Sequence, residues 1–280
     1  MENIRIHILH CGQVCVSPYL PFGGKNCSKI KAAGMTTRKK DRLWLPVSAY
    51  LIECSKGKIL VDTGWSREMS PEGVYDRNAQ IRHMSLRLYI VNQGEIAKGE
   101  AVHEQLHMLG IKAEDLDYVL LTHLDCDHAS GVRQVREAKR ILVSEDEMAC
   151  AKKDRIRYTA SMWKDVGLEG FAFERTGIGP VGKSYDLFED GAIQLVNIPG
   201  YSDGMFAVQI TNNLGKYVLL YSDGGYASKS WQQLICSGIA TDREKQYKSL
   251  EWISKMSSSK NCLESIANHD PDVIPHTIQL

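Results

Sequence analysis

The sequence lacks long apolar runs and an excess of either charge. No stretch of about 18 apolar residues occurs, which is the length that a membrane-spanning helix needs. The 34 basic side chains balance 34 acidic ones, which argues against a protein dedicated to nucleic acid or to a membrane surface. The first residues, MENIRIHILHCG, do not combine a basic start with a long apolar run, so we expect no signal peptide and a cytoplasmic protein.

The eight cysteines lack the paired spacing of a zinc ribbon or of a disulfide framework. Without a secretion signal, we expect them to be reduced thiols. Cys126 lies inside a polar motif, where it is either a soft metal ligand or, the reading we favour, a small side chain that fills space. No low-complexity tract or linker interrupts the chain, so we expect a single domain over 1–280.

Two common catalytic patterns are also missing. No G-x-S-x-G elbow occurs, which argues against a serine hydrolase. His103 and His107 are four residues apart but lack the glutamate of an H-E-x-x-H metal motif, so an ordinary helix face is predicted for them.

Two segments share one design. AYLIECSKGKILVDTG (49–64) and FAVQITNNLGKYVLLYSDGG (206–225) each read as a strand, a polar turn and a second strand that ends in an aspartate followed by glycine. Two similar halves of this kind predict two packed sheets with helices outside.

The remaining elements are predicted from periodicity and capping residues. A capping box at Ser144 and Glu147 predicts the start of a helix, and the Pro- and Gly-containing segment 65–100 is predicted to be a long excursion that covers a site. Further helices are predicted at about 96–110, 131–138, 227–236 and 241–256, and strands at DYVLLTH, RILVS and SYDLFEDGAIQLVNIPG.

The stretch THLDCDHASG (122–131) carries the clearest chemistry. It ends an apolar strand and places His123, Asp125, Asp127 and His128 in one sharp loop. Imidazole and carboxylate groups that converge in this way are typical ligands of divalent metals. The alternative is a solvated polar turn.

THLDCDHASG resembles the T-H-x-H-x-D-H-x-x-G motif of the metallo-β-lactamase superfamily. VDTG (61–64), IPGYSDG (198–204), YSDGGY (221–226) and NHDP (268–271) follow in the order of that superfamily, so the resemblance covers nearly the whole chain. LHCG, LPVSAYLIE and Tyr226 make it most similar to the N-acyl-homoserine lactone lactonase group. The resemblance implies a four-layer αββα sandwich of two mixed β-sheets flanked by helices.

The resemblance also implies one or two divalent ions, zinc first, with iron or manganese as alternatives. One site would be formed by Asp127, His128 and His269, with Asp223 as a bridge to the other. The other would use His123 and the residues at 125 and 201, which are normally histidines in the family. Here they are Asp125 and Tyr201. Tyr201 is then a ligand, a space-filling side chain or a hydrogen-bond partner of metal-bound water, and Asp62 is expected to orient the ligand loop.

The function implied is hydrolysis of a lactone or similar ester by a metal-activated hydroxide, with quorum quenching as the biological role. Tyr226 would stabilise the oxyanion and Asp127 would pass a proton to the leaving oxygen. The alternatives are another ester, thioester or phosphodiester hydrolase with one metal, and a weakened, non-catalytic protein that binds a metal or a metabolite. A small-molecule partner and a monomer or homodimer are expected, without nucleic acid or membrane.

Overall fold

Two β-sheets form the centre of the molecule. The computed structural model describes residues 3–280, so the first two residues of the predicted domain 1–280 lie outside the described part. The first sheet contains β1 (Arg5–Val16), β2 (Leu43–Cys54), β3 (Gly57–Val61), β4 (Gln93–Glu95), β5 (Tyr118–Leu120), β6 (Ile141–Ser144), β7 (Leu168–Phe171) and β14 (Thr277–Gln279). The second contains β8 (Glu174–Arg175), β9 (Lys183–Asp186), β10 (Ile193–Asn197), β11 (Phe206–Thr211), β12 (Tyr217–Leu220) and β13 (Cys262–Ile266).

The sheets are mixed. The first has the order β14-β1-β2-β3-β5-β6-β7, with β4 paired to β1, and the second has the order β13-β12-β11-β10-β9-β8. β3, β5, β6 and β7 pair in parallel, as do β12 and β13, while the hairpins pair antiparallel.

Eight α-helices lie in the described residues. They are α1 (Lys29–Ala32), α2 (Arg77–Met84), α3 (Leu86–Val91), α4 (Val102–Met108), α5 (Cys126–Ala129), α6 (Glu145–Lys153), α7 (Ser228–Gln232) and α8 (Arg243–Ser257). None of the helices within residues 3–280 combines the length and the apolar character that crossing a membrane requires.

The apolar alternation of the strands builds the sandwich. Ile6 and Ile8 of β1 share one buried cluster with Phe206 and Val208 of β11, so the facing sides of the two sheets pack together. The opposite face of the first sheet, with Leu60, packs against α4. Ile253 of α8 lies in a cluster with Leu219, on the other face of the second sheet. The predicted four-layer αββα sandwich is confirmed.

Both predicted hairpins are present, as β2–β3 and β11–β12. The helix predicted from Ser144 begins at Glu145, and the Ser144 side chain accepts a hydrogen bond from the Glu147 backbone amide. The helix predicted at 241–256 is α8, capped by Asp242.

Four predictions were less accurate. The helix expected at 96–110 is confined to α4, and the one expected at 227–236 to α7. The helix expected at 131–138 is a 3-10 helix over Ser130–Val135. The segment 65–100 is more regular than predicted, because it contains α2, α3 and β4. Its poor periodicity reflects short elements that each bury few residues.

Candidate metal centre

The polar residues of the site follow the carboxyl ends of strands from both sheets. Asp62 follows β3 and His123 follows β5, and these two strands are parallel neighbours. Asp223 follows β12 and His269 follows β13, which are also parallel neighbours. Parallel strands end at the same edge of a sheet, so the topology brings four segments that are distant in sequence to one place.

The loop that carries Asp127 and His128 is clamped to the end of β3. Thr63 donates two hydrogen bonds to the carbonyl oxygen of His128, from its amide at 2.9 Å and from its hydroxyl at 2.7 Å. Gly131 makes this approach possible, because a Cβ there would lie 2.3 Å from the carbonyl oxygen of Thr63. The last glycine of the motif is therefore a packing requirement.

Four side-chain atoms converge on one point. His269 Nε2 lies 3.2 Å from Asp223 Oδ1, 3.3 Å from His128 Nε2 and 3.5 Å from Asp127 Oδ2. His128 Nε2 lies 3.5 Å from Asp223 Oδ1. Ligands about 2.0–2.1 Å from a tetrahedral zinc ion are separated by roughly 3.3–3.4 Å, so these four of the six spacings are close to the edges of such a site.

The other nitrogen of each imidazole is held by a second residue. His128 Nδ1 donates to Asp62 Oδ2 at 2.9 Å, and His269 Nδ1 donates to the carbonyl oxygen of Pro46 at 2.8 Å. Both Nε2 atoms are thereby aimed at the centre, as in metal sites whose histidines are oriented by carboxylates or carbonyls. Asp62, fully buried, also accepts bonds from the amide and hydroxyl of Thr122 and from Asn268 Nδ2.

The charges at this point are mutually dependent. Burial disfavours ionisation of Asp223, but the imidazoles of His269 and His128 outweigh it and hold the pKa of this carboxyl well below its usual range. Burial likewise lowers the pKa of His128, but Asp62 and Asp223 outweigh it and raise the value well above the usual one. Burial raises the pKa of Asp127. A bound cation would take the place of the imidazole protons, since metal binding requires neutral imidazole.

The donor set fits a divalent ion. Asp223 Oδ1, one of the four converging atoms, is buried and has no hydrogen-bond partner among the described residues. A buried carboxylate oxygen without a donor is unfavourable unless a cation satisfies it. Residues 3–280 contain two groups of closely spaced ligand atoms, Asp127–His128–His269 and His123–His128–Asp223. His103 and His107 belong to neither.

The residues predicted for a second metal are arranged differently. His123 Nε2 is buried and lies 3.6 Å from Asp125 Oδ2 and 3.9 Å from Asp223 Oδ2. The carboxylate of Asp125, however, is paired with a cation. Arg157 Nε donates to Asp125 Oδ1 at 2.7 Å and Arg157 Nη2 to Asp125 Oδ2 at 2.8 Å. Burial opposes ionisation of Asp125, but this guanidinium holds its pKa well below the usual range.

Tyr201 joins Asp125 to the predicted catalytic tyrosine. Its hydroxyl donates to Asp125 Oδ2 at 2.8 Å and lies 2.7 Å from the hydroxyl of Tyr226. Because the single proton of Tyr201 goes to the carboxylate, Tyr226 is the donor in the bond between the two phenols. The ring of Tyr226 stacks on that of His269, with centroids 4.9 Å apart. Tyr226 therefore lies directly beside the four converging ligand atoms.

Two functional positions were missed by sequence reasoning. Glu147 was read as a cap, yet its fully buried carboxylate accepts bonds from the Leu124 amide and the Ser202 hydroxyl and so joins the loops on either side of the site. Arg157 was not singled out. A carboxylate at 125 in place of an imidazole was a signal that some cation is needed there, but the sequence does not say which one.

A cavity of about 310 Å³ opens beside Asp125 and Cys126. Its apolar walls include Leu88 and Val91 of α3, Ile156 and Ile239. Its charged lining residues include Arg87 and Arg157. A larger cavity of about 1080 Å³ includes Leu124 but none of the converging ligands. The smaller cavity also includes none of these four ligands, but it is lined by Asp125 and Cys126, which directly precede Asp127, and α3 from the segment 65–100 forms part of its wall.

The two packed sheets and the buried His/Asp cluster at their edge give this chain the metallo-β-lactamase fold. More particularly, residues 42–148 match the sequence profile of the metallo-β-lactamase superfamily, and the chain contains a domain of that superfamily.

Its relatives include N-acyl homoserine lactonases. AttM of Azorhizobium caulinodans is 22% identical over 277 residues, which cover 98% of this chain and 96% of that protein. AiiB of Agrobacterium fabrum is 34% identical over 159 residues, which cover 56% of this chain and 51% of that protein.

Two solved structures have a similar fold. One is an N-acyl homoserine lactone hydrolase with the product N-hexanoyl-L-homoserine at its catalytic metal centre. It has a TM-score of 0.72 and 20% identity, over 96% of this chain and 94% of that one. The other is AidC, a dizinc quorum-quenching lactonase. It has a TM-score of 0.63 and 13% identity, over 99% of this chain and 94% of that one.

Proposed function

We propose that the protein hydrolyses a lactone or a similar small ester with the help of a divalent ion, most simply zinc. The observation that carries the proposal is the cluster of four ligand atoms from Asp127, His128, Asp223 and His269. Four pairs of these atoms are 3.2–3.5 Å apart. The lactonase relatives support the choice of ester.

The four residues would hold the ion, and Asp125 and Cys126, which precede Asp127 in the chain, line the neighbouring cavity. A zinc ion held there would need a fifth coordination position, or the loss of one of the four ligands, to bind water; it would then lower the pKa of that water to about 7 and could polarise a carbonyl group. The ligands come from loops after β5, β12 and β13. Asp62, directly after β3, and the carbonyl oxygen of Pro46, within β2, fix the two imidazole rings.

Tyr226 is placed to donate a hydrogen bond to the substrate carbonyl oxygen. Burial raises the pKa of its phenol well above the usual value, and the nearby Asp223 adds to the effect, so the phenol keeps its proton at neutral pH. In the structure this proton is directed to Tyr201. A substrate would therefore have to replace Tyr201 as the acceptor. Asp127 is proposed to carry the proton to the leaving oxygen, a role that comes from the family resemblance.

The cavity supports a substrate that is partly apolar. Leu88, Val91 and Ile239 line it, and the small Cys126 leaves room beside Asp125. Its volume of about 310 Å³ is at the lower end of the range for small-molecule sites, which fits a ring ester with a short acyl chain. We further propose that residues 1–280 form one domain that acts in the cytoplasm, where its buried thiols, such as Cys11 and Cys236, would stay reduced.

The test is hydrolysis of N-acyl homoserine lactones of increasing chain length by protein loaded with zinc, manganese or iron. Hydrolysis is measured by titrating the released acid at constant pH. Asp127→Asn and His269→Ala should each abolish most of the activity and the metal content while the far-ultraviolet circular dichroism stays unchanged. His107→Ala, on the exposed side of α4, is the matched control and should keep both.

Three outcomes separate the candidate functions. Lactone turnover that is lost in the two ligand variants supports the proposal. Turnover of thioesters or phosphodiesters but not of lactones would replace the proposed substrate with another of the same fold. Metal binding without turnover of any of these substrates would contradict the proposed catalytic function and support a non-catalytic binding protein.

A further inference from the structure

Arg157 lies in the half of the site where the family resemblance places a second metal ion, and its charge is directed at the residue that would bind that ion. We propose that the Arg157 guanidinium takes the place of the second metal ion, so that the protein binds one divalent ion, at Asp127, His128, Asp223 and His269. The inference rests on the metal centre of the proposed function, but not on the identity of the substrate.

The first argument concerns the lone pairs of Asp125. A carboxylate offers about four lone-pair sites, two on each oxygen. Oδ2, the oxygen nearest to His123 Nε2, already accepts bonds from Arg157 Nη2 and from the Tyr201 hydroxyl, both at 2.8 Å. The oxygen that would have to bind a second ion together with His123 has no site left for it.

The second argument concerns charge. Arg157 and Asp125 form a two-pronged ion pair, and the guanidinium is permanently charged. The pair is neutral as a unit, so Asp125 no longer offers the negative charge that would attract a cation. A second divalent ion bound to Asp125 would also lie next to the guanidinium and be repelled by it. Displacing Arg157 would leave a largely buried cation unpaired, which is strongly unfavourable.

Arg157 is held in this position by further contacts. Its Nη1 donates to the carbonyl oxygen of Tyr201 at 3.0 Å, and its guanidinium carbon lies 4.5 Å from the centre of the Tyr201 ring. The backbone amide of Arg157 is bonded to the side chain of Asp154. The residue is therefore built into the site and does not reach it as a mobile surface side chain.

Tyr201 is also fully occupied. Its hydroxyl gives its proton to Asp125 and accepts one from Tyr226. The imidazole that the family carries at this position has a lone pair for a metal, whereas this phenol would have to give up its bond to Asp125 to bind one. Without Asp125 and Tyr201, a second ion would have only His123 and the Asp223 oxygen that faces it, 3.9 Å apart. Catalytic zinc sites commonly use three protein ligands.

The proposal predicts the metal content directly. Protein stripped with a chelator, reloaded with excess zinc and passed over a desalting column should contain about one equivalent by elemental analysis. Arg157→Leu should raise the content towards two equivalents, because it frees Asp125 beside His123. A triple variant, Asp125→His with Arg157→Leu and Tyr201→His, should bind two equivalents of zinc. It keeps the proposal testable if the single variant folds poorly. Arg155→Leu removes an exposed neighbouring arginine and should leave the content at one.

Manganese loading gives a second readout that does not depend on activity. Electron paramagnetic resonance should show an isolated ion in the unchanged protein and a spin-coupled pair in the triple variant. Two equivalents in the unchanged protein would overturn the proposal. One equivalent in the unchanged protein and also in every folded variant would overturn the role of Arg157. No bound metal at all would instead overturn the metal centre of the proposed function, and this inference with it.

Discussion

Replacement of Asp62 by asparagine should weaken metal binding although Asp62 is not one of the four proposed ligands. In the protein, Asp62 accepts bonds from His128 Nδ1 at 2.9 Å, from the Thr122 amide at 2.8 Å and from Asn268 Nδ2 at 3.1 Å. Asparagine has the same shape but presents an NH₂ group in place of one oxygen, so at least one of these donors would face another donor. The change should therefore disturb the orientation of the His128 ring.

The magnitude follows from the type of contact. Removing a carboxylate that orients a metal-binding histidine typically lowers metal affinity by about 10–100-fold, which corresponds to about 1.4–2.7 kcal/mol. A buried donor left without an acceptor should also lower the free energy of unfolding by about 1–3 kcal/mol. Competition with a zinc-sensitive dye measures the first effect, and denaturation by urea measures the second.

Asp117→Asn is the matched control for this experiment. Asp117 accepts bonds from the Lys58 amide and from Lys139 Nζ, both at 2.8 Å, and lies outside the metal centre. Its variant should keep the metal affinity of the unchanged protein. If Asp62→Asn also keeps that affinity, the argument that Asp62 aims His128 at the ion is refuted.

Four further predictions concern stability. Chelation should lower the free energy of unfolding by about 2.7 kcal/mol relative to protein with free metal at 100 times its Kd. Calorimetry should show the unfolding temperature fall on chelation and recover when zinc is added back. An unchanged unfolding temperature would contradict metal binding to the folded state. Gly131→Ala should destabilise by about 1–3 kcal/mol in urea, since its Cβ would lie 2.3 Å from a carbonyl oxygen, while Gly167→Ala, with open space around it, should not. Leu60→Ala in the core should lower the free energy of unfolding in urea by about 2–5 kcal/mol. Leu214→Ala, at a side chain that is 75% exposed, should leave it nearly unchanged. Equal effects of the two variants would refute the assigned packing. Glu147→Gln should lower the free energy of unfolding by about 1–3 kcal/mol, measured in the same way, because one of its two buried acceptors is lost.

Local patterns in the sequence were sufficient for most of the fold. Ile4, Ile6 and Ile8 alternate along the chain, and all three lie in one buried cluster between the sheets. The two hairpins and α8 were recognised because each buries an apolar face and carries clear turn or capping residues. The short helices of the segment 65–100 were missed, since elements of 6–8 residues do not repeat long enough to show a period.

The sequence by itself determined the family resemblance and the chemistry of the ligands. The motif at 122–131 and the later Asp223 and His269 were enough to predict that imidazoles and carboxylates meet. This was possible because ligand type and spacing within a motif are properties of the chain.

Only the tertiary structure decided which cation satisfies Asp125. Arg157 lies 32 residues further along, in the loop after α6, and no periodic pattern marks it. A salt bridge between distant loops depends on where the sheets bring those loops together, and that placement results from the packing of the whole sandwich. The same carboxylate at 125 reads as a metal ligand in the sequence and is the partner of a guanidinium in the folded protein.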